Sequence, residues 1–143
     1  MSMSVAAGEP AALSWHRHLT ARAAVGAARL LVTLPPRRLR RFLEVTGAGT
    51  RPATEDQALA ARRAVVAVSS RCAGQGCLQR SVATVLLCQL RGVRPDWSTG
   101  VRTQPFVAHA WVEVDGKPVG ESDDIRLYHP LMSVRRPPRG PRR

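Results

Sequence analysis

Three residue types able to carry acyl transfer occur in order within one stretch of this chain: Cys77, His109 and a carboxylate at Glu121, with Asp123 in reserve. A thiolate attacks carbonyl carbon, an imidazole can hold and return the proton, and a carboxylate can orient the imidazole. Cys77 follows Gly74-Gln75-Gly76 and opens an apolar-periodic run that closes at Gly92, which places it at a helix start. There the positive end of the helix dipole and unpaired N–H groups favour the thiolate. The Cys77 N–H would also point toward an oxyanion forming at an attacked carbonyl. His109 stands in Val107–Val114, an alternating run that reads as a strand with His109, Trp111 and Glu113 on one face. Taken singly, each residue has a plainer explanation: a lone cysteine is commonly a small buried apolar residue, and a histidine in a half-buried strand is commonly a surface residue. The order decides between them, because a nucleophile needs a base and the base needs an orienter.

Turn geometry selects the carboxylate. A two-residue loop at Asp115-Gly116 would pair Val114 with Lys117 and set Glu121 opposite Ala110, on the wrong face. A three-residue loop, Val114-Asp115-Gly116, pairs Glu113 with Lys117, Trp111 with Val119 and His109 with Glu121. Side chains opposed in this way have Cβ atoms about 5 Å apart. The second register is expected. Asp123 shares the parity of Glu121, and Glu113 is expected to pair with Lys117.

The remaining candidates fall away. Cys88 lies on the Cys77 helix roughly 16 Å further on, out of reach of a partnership, and is expected in the core. Cys72 is expected to be structural. His16 and His18 diverge by about 200° on a helix, and His129 precedes a proline in a loop. Three cysteines with no Cys-x-x-Cys pair argue against both a disulfide scaffold and a zinc site, so neither metal nor cofactor is expected.

The elements that must position these residues follow from periodicity. Residues 1–10 are small and polar and are expected to be disordered. Helices are expected from Pro10 to Leu34, from Arg37 to Val45, and from Thr54 to Ser70, the last opened by the capping box Thr54-Glu55-Asp56-Gln57. The Cys77–Arg91 helix carries Leu78, Val82, Val85, Leu86 and Leu90 as one apolar stripe, and Gly92 stands at its C-terminal cap. After Pro95 the period becomes two, with strands at Trp97–Arg102 and Val107–Val114 and a return strand from Lys117 to about Glu121. One more short segment is expected around Tyr128–Met132, before a basic disordered tail at 133–143. Helices first and a small antiparallel sheet after make an α+β domain spanning 11–132, with a helical part at 11–70 and a catalytic core at 71–132.

The block Pro105-Phe-Val-Ala-His-Ala-Trp-Val-Glu-Val-Asp-Gly116, together with Cys77-Leu-Gln-Arg-Ser-Val-Ala83, Leu90-Arg-Gly-Val93 and Gly100-Val-Arg102, resembles the transglutaminase-like leader peptidases of lasso-peptide biosynthesis. The resemblance covers roughly residues 71–131. It implies a papain-like, transglutaminase-like core in which the Cys77 helix packs on the sheet that carries His109. It implies a cysteine peptidase whose Cys-His-acid triad removes the leader from a ribosomally made precursor peptide, an antibiotic-maturation step. Cys77 and His109 match the nucleophile and base. The family's third residue, usually an aspartate twelve positions after the histidine, is Glu121 here. The strand-poor start implies the split form, which works with a separate small leader-recognition protein and hands its product to an ATP-dependent macrocyclase. Where papain-type enzymes keep an oxyanion-hole glutamine, six positions before the cysteine, this chain has Arg71; Gln75 and Gln79 are merely near.

Composition bounds the alternatives. The 143 residues suffice for one domain with an aliphatic core, and 44% are apolar. The formal charge is +12, and every basic residue except Lys117 is arginine. Such a balance suits nucleic acid, but no nucleic-acid motif is present and the aromatics are not interleaved with the arginines, so nucleic acid is not expected as the partner. Steering of an acidic peptide or partner fits the charge as well. No signal peptide or apolar run long enough to span a bilayer is evident, and a free nucleophilic thiol fits a cytoplasmic location. Two rival functions remain: an amide-forming transglutaminase-like acyltransferase on the same fold, and a non-catalytic basic module that binds peptide or nucleic acid.

Overall fold

The computed structural model describes residues 11–135, with side chains from Trp15 onward. The expected disordered stretch 1–10 and the tail from 136 lie outside the described residues. Helix α1 (Ala11–Leu31) ends before Pro35, and Pro36 occupies the first turn of α2 (Pro36–Thr46), a position where its missing N–H costs nothing. Two-residue β1 (Arg51–Pro52) precedes α3 (Glu55–Val68). The capping box forms at the start of α3: Gln57 N–H donates to Thr54 Oγ1, and Thr54 N–H donates to Gln57 Oε1. The expected Thr54–Ser70 helix stops at Val68, and a single turn, α4 (Ser70–Ala73), follows because the Ser69 hydroxyl accepts from Cys72 N–H and caps it.

Helix α5 (Cys77–Leu90) is enclosed by α1 and α3 and by the sheet. Its burial is therefore wider than one stripe. Every residue from Gln79 to Val85 is buried, as are Leu87 and Cys88, whereas Leu90 at the far end of the expected stripe is 66% exposed. The polar members are satisfied: Gln79 donates to the Val25 carbonyl of α1, Thr84 to the Arg80 carbonyl, and Ser81 accepts from Trp97 Nε1 at 2.9 Å.

After Gly92, which takes the left-handed conformation past the helix end, β2 (Val93–Arg94) pairs in parallel with β1. Strands β3 (Asp96–Arg102), β4 (Val107–Val114), β5 (Lys117–Pro118) and β6 (His129–Val134) form a sheet in the order β5-β4-β3-β6. All its pairings are antiparallel, and Gly100 lies opposite His109. A 3-10 turn, Asp123–Leu127, leads into β6. Because β6 completes the far edge by pairing with β3 through Val134, residues 133 and 134 belong to the sheet and not to a disordered tail. Arg135 follows with an ion pair to Glu113 at 3.3 Å. The fold is α+β, with helices first and an antiparallel sheet after.

The hairpin register differs from the expected one. Its loop has two residues, Asp115 and Gly116, both at positive φ, and Val114 pairs with Lys117 and Glu113 with Pro118. This is the turn whose twist matches the flanking strands, and an Asp-Gly pair is suited to it. Glu113 consequently has no cross-strand partner in Lys117. It is buried, accepts from Trp111 Nε1 at 2.8 Å and faces Arg135.

Candidate active site

The two-residue loop should have put Glu121 on the wrong face, yet Glu121 Oε2 lies 2.9 Å from His109 Nε2. Gly120 resolves the contradiction. The return strand pairs only as far as Val119, whose N–H donates to the Val112 carbonyl; Gly120 then adopts φ +71 and turns the chain out of the ladder. Beyond that point strand parity no longer governs the side chains, and Glu121 swings back onto the imidazole. Asp123, the reserve acid, is exposed at the start of the 3-10 turn.

Cys77 is the first residue of α5 and is partly exposed. The loop before it is held tightly. Gly76 N–H donates to the Arg71 carbonyl, and a Cβ on Gly76 would fall 2.5 Å from that same oxygen, so only glycine fits. The buried Arg80 guanidinium donates to the Cys72 and Gly74 carbonyls at 2.9 and 3.2 Å, tying the loop to the helix. The Cys77 N–H, expected to face an oxyanion, instead donates to the Gln75 carbonyl at 2.9 Å across Gly76, in the bent geometry of an inverse γ-turn. Gln79, considered as a nearby donor, is buried and committed to Val25. Gln75 and Arg71 are exposed.

The thiol and the imidazole both line one pocket, and each shifts the other's protonation. The bond from His109 holds the Cys77 thiol below its ordinary pKa, helped by the Ala110 N–H and opposed by partial burial. His109 is pushed up to about 9, first by its bond to Cys77 and then by Glu121, again against burial. Both shifts favour thiolate and imidazolium together. With Nε2 engaged by Glu121, the nitrogen left for the thiol is Nδ1. The ring is also held by its neighbours. The Trp111 and Tyr128 ring centroids lie 5.9 and 5.4 Å away, and the Arg102 guanidinium sits 5.8 Å over Tyr128.

A pocket of about 230 Å³ opens beside the pair, lined by Leu78, Thr99, Val101, Ala108 and Leu131 together with Cys77 and His109. It has room for one apolar side chain. The other cysteines behave as core residues: Cys72 and Cys88 are fully buried, and burial pushes the Cys88 thiol up to about 11. Among the described residues, no cluster of three or more His, Cys, Asp or Glu could hold a metal ion, and no helix is long and apolar enough to cross a membrane.

Sequence reasoning named Cys77, His109 and Glu121, and these are the residues the structure brings together. It missed Tyr128, Arg80 and Arg62. Tyr128 was placed only as part of a further segment, and the arginines are indistinguishable by type from the exposed ones around them.

Residues 21–133 match the profile of the transglutaminase-like superfamily. A 50-residue segment is 38% identical to the Microcin J25-processing protein McjB of Escherichia coli, covering 35% of this chain and 24% of that relative's length. No solved structure gives a significant match.

Proposed function

The chain belongs to the transglutaminase-like superfamily, and from that premise we propose that it is a cysteine peptidase that removes the leader from a ribosomally made lasso-peptide precursor. The observation that carries the reading is the 2.9 Å contact of His109 with Glu121 beside a pocket that Cys77 and His109 line together. The thiolate Sγ attacks the carbonyl carbon at the leader–core junction. The C–N bond breaks as the His109 imidazolium gives its proton to the departing amine of the core peptide. His109, now neutral, takes a proton from water, whose oxygen attacks the thioester; the C–S bond breaks to restore the thiolate and imidazolium, and the leader's new carboxylic acid loses its proton to solvent. Glu121 holds the imidazole in orientation and stabilises its positive charge. The apolar pocket receives a substrate side chain flanking the scissile bond.

A peptide substrate is supported by the likeness to a microcin-processing protein, and leader removal by the Pro105–Gly116 block. A separate leader-binding protein and a downstream ATP-dependent macrocyclase belong to the same reading. The test is incubation with a candidate precursor, with and without a leader-binding partner, read by mass spectrometry. Two fragments whose masses sum to the precursor plus one water are expected, and none with Cys77→Ala. Addition of an amine in place of water would make the chain an acyltransferase. Cleavage that survives Cys77→Ala would overturn the assignment.

A further inference from the structure

We propose that Arg62 is a positioning residue that fixes the Glu121 carboxylate against His109; this rests on the reading of Cys77, His109 and Glu121 as the reacting group. A carboxylate turns easily about its terminal torsion, so one hydrogen bond leaves its plane and its second oxygen undetermined. Here the two oxygens divide their partners. Oε2 meets His109 Nε2, and Oε1 faces Arg62 Nη2 at 3.9 Å, an ion-pair contact beyond hydrogen-bond length. Both side chains are largely withdrawn from water, Arg62 at 21% exposure and Glu121 at 10%, so solvent screens the pair less than it would a surface pair.

The stem of Arg62 makes a second, independent contact. A Cβ built on Gly120 would fall 2.6 Å from Arg62 Cδ and 2.9 Å from Nε, so the side chain lies directly over the residue whose left-handed turn delivers Glu121. One arginine on α3 thus covers the kink and pairs with the acid that the kink delivers. The site tolerates this cation at some cost: burial and the neighbouring Arg80 both lower the Arg62 pKa, and Glu121 opposes them. Guanidinium suits the position because it stays protonated and cannot take the proton that His109 must move.

The sign of one measurement separates positioning from a mere nearby charge. A cation acting directly on the imidazolium repels it, so its removal would raise the His109 pKa. A cation acting through Glu121 supports the imidazolium, so its removal lowers that pKa. The experiment titrates His109 by NMR and measures the alkylation rate of Cys77 by iodoacetamide at pH 6.5, in wild type, R62M, R62K, E121Q and R62M/E121Q. Alkylation reports on Cys77 because the other two thiols are fully buried. R62M keeps the stem over Gly120 and removes the charge. It is expected to bring His109 below its wild-type value of about 9 and to slow alkylation about three- to tenfold, with R62K restoring most of both. In the E121Q background R62M should change neither, since its route is gone. A His109 pKa that is unmoved or raised in R62M, or a loss equally large with and without Glu121, overturns the proposal. Neither readout uses a precursor, so a failure of the peptidase reading would appear separately, as absent cleavage by the wild type.

Discussion

At the scale of single residues, the pairing of Cys77 with His109 makes the pH dependence predictable in sign. His109 holds its proton up to about 9 while the thiol is held below its ordinary value, so between the two macroscopic steps the pair is thiolate and imidazolium. Below that window the thiol is protonated and cannot attack. Above about 9 the imidazolium is lost and nothing remains to protonate the leaving amine. The profile of kcat/KM for precursor cleavage is therefore expected to be bell-shaped, with its alkaline limb near 9. Glu121→Gln weakens one of the two partners that raise His109, so the alkaline limb should move to lower pH and kcat should fall at least about tenfold. Asp123→Asn should change neither. The same shift contributes to folding: a histidine raised above its unfolded value of about 6.5 stabilises fully below that pH and loses its contribution as pH rises toward 9. Thermal unfolding of wild type and E121Q should thus differ most in mild acid and converge above pH 9.

At the scale of elements, the acid reaches the base through a broken strand. Gly120→Ala places a side chain where φ is +71, costing roughly 1–2 kcal/mol, and drives its Cβ into the Arg62 stem. Gly116→Ala makes a useful control, since φ is +78 there with nothing within 4 Å. Both variants should lose comparable thermal stability, but only G120A should also lose activity, on the order of tenfold, because displacing Glu121 by even about 1 Å misaligns the imidazole. Equal activity in the two variants would mean that the kink does not deliver the acid. Gly120 also marks the limit of what is legible in the sequence. The bounds of Val107–Val114, the Thr54–Gln57 capping box and the Gly92 cap were legible because each is a local pattern with one physical solution. The hairpin was not. Asp115-Gly116 suits two loop lengths, and the Glu113–Lys117 pair that would favour the longer does not form, since Glu113 is buried against Trp111. A glycine inside Val-Gly-Glu carries no sign of whether it continues a strand or ends one. Glu121 thus meets His109 although the hairpin does not adopt the register expected to bring them together. The parallel β1–β2 pair, the placement of β6 beside β3 and the enclosure of α5 are long-range outcomes with no local signature.

At the scale of the whole molecule, the formal charge is +12, and the arginines among the described residues include buried or half-buried ones beside the site and exposed ones away from it. The arginines nearest the site serve internal purposes: Arg80 ties the Cys77 loop to carbonyls, and Arg62 faces Glu121. Arg37, Arg38, Arg40 and Arg41 on α2, with Arg22, Arg29, Arg51 and Arg91, are exposed. Fields from such groups reach about 10 Å at 0.1 M salt and about 3 Å at 1 M, so their pull on an acidic peptide should fade over that range. Cys77, His109 and Glu121 are partly buried, and His109 meets Glu121 at hydrogen-bond length, which salt screens far less. Raising salt from about 0.1 M to about 1 M should then increase KM for an acidic precursor by about tenfold while kcat changes less than about twofold. A precursor with its acidic residues neutralised should show little dependence in either constant. A KM indifferent to salt would remove electrostatic steering from the account. A kcat that falls as steeply as KM rises would place the exposed arginines in the chemical step, contrary to a site in which Cys77, His109 and Glu121 act as one shielded unit.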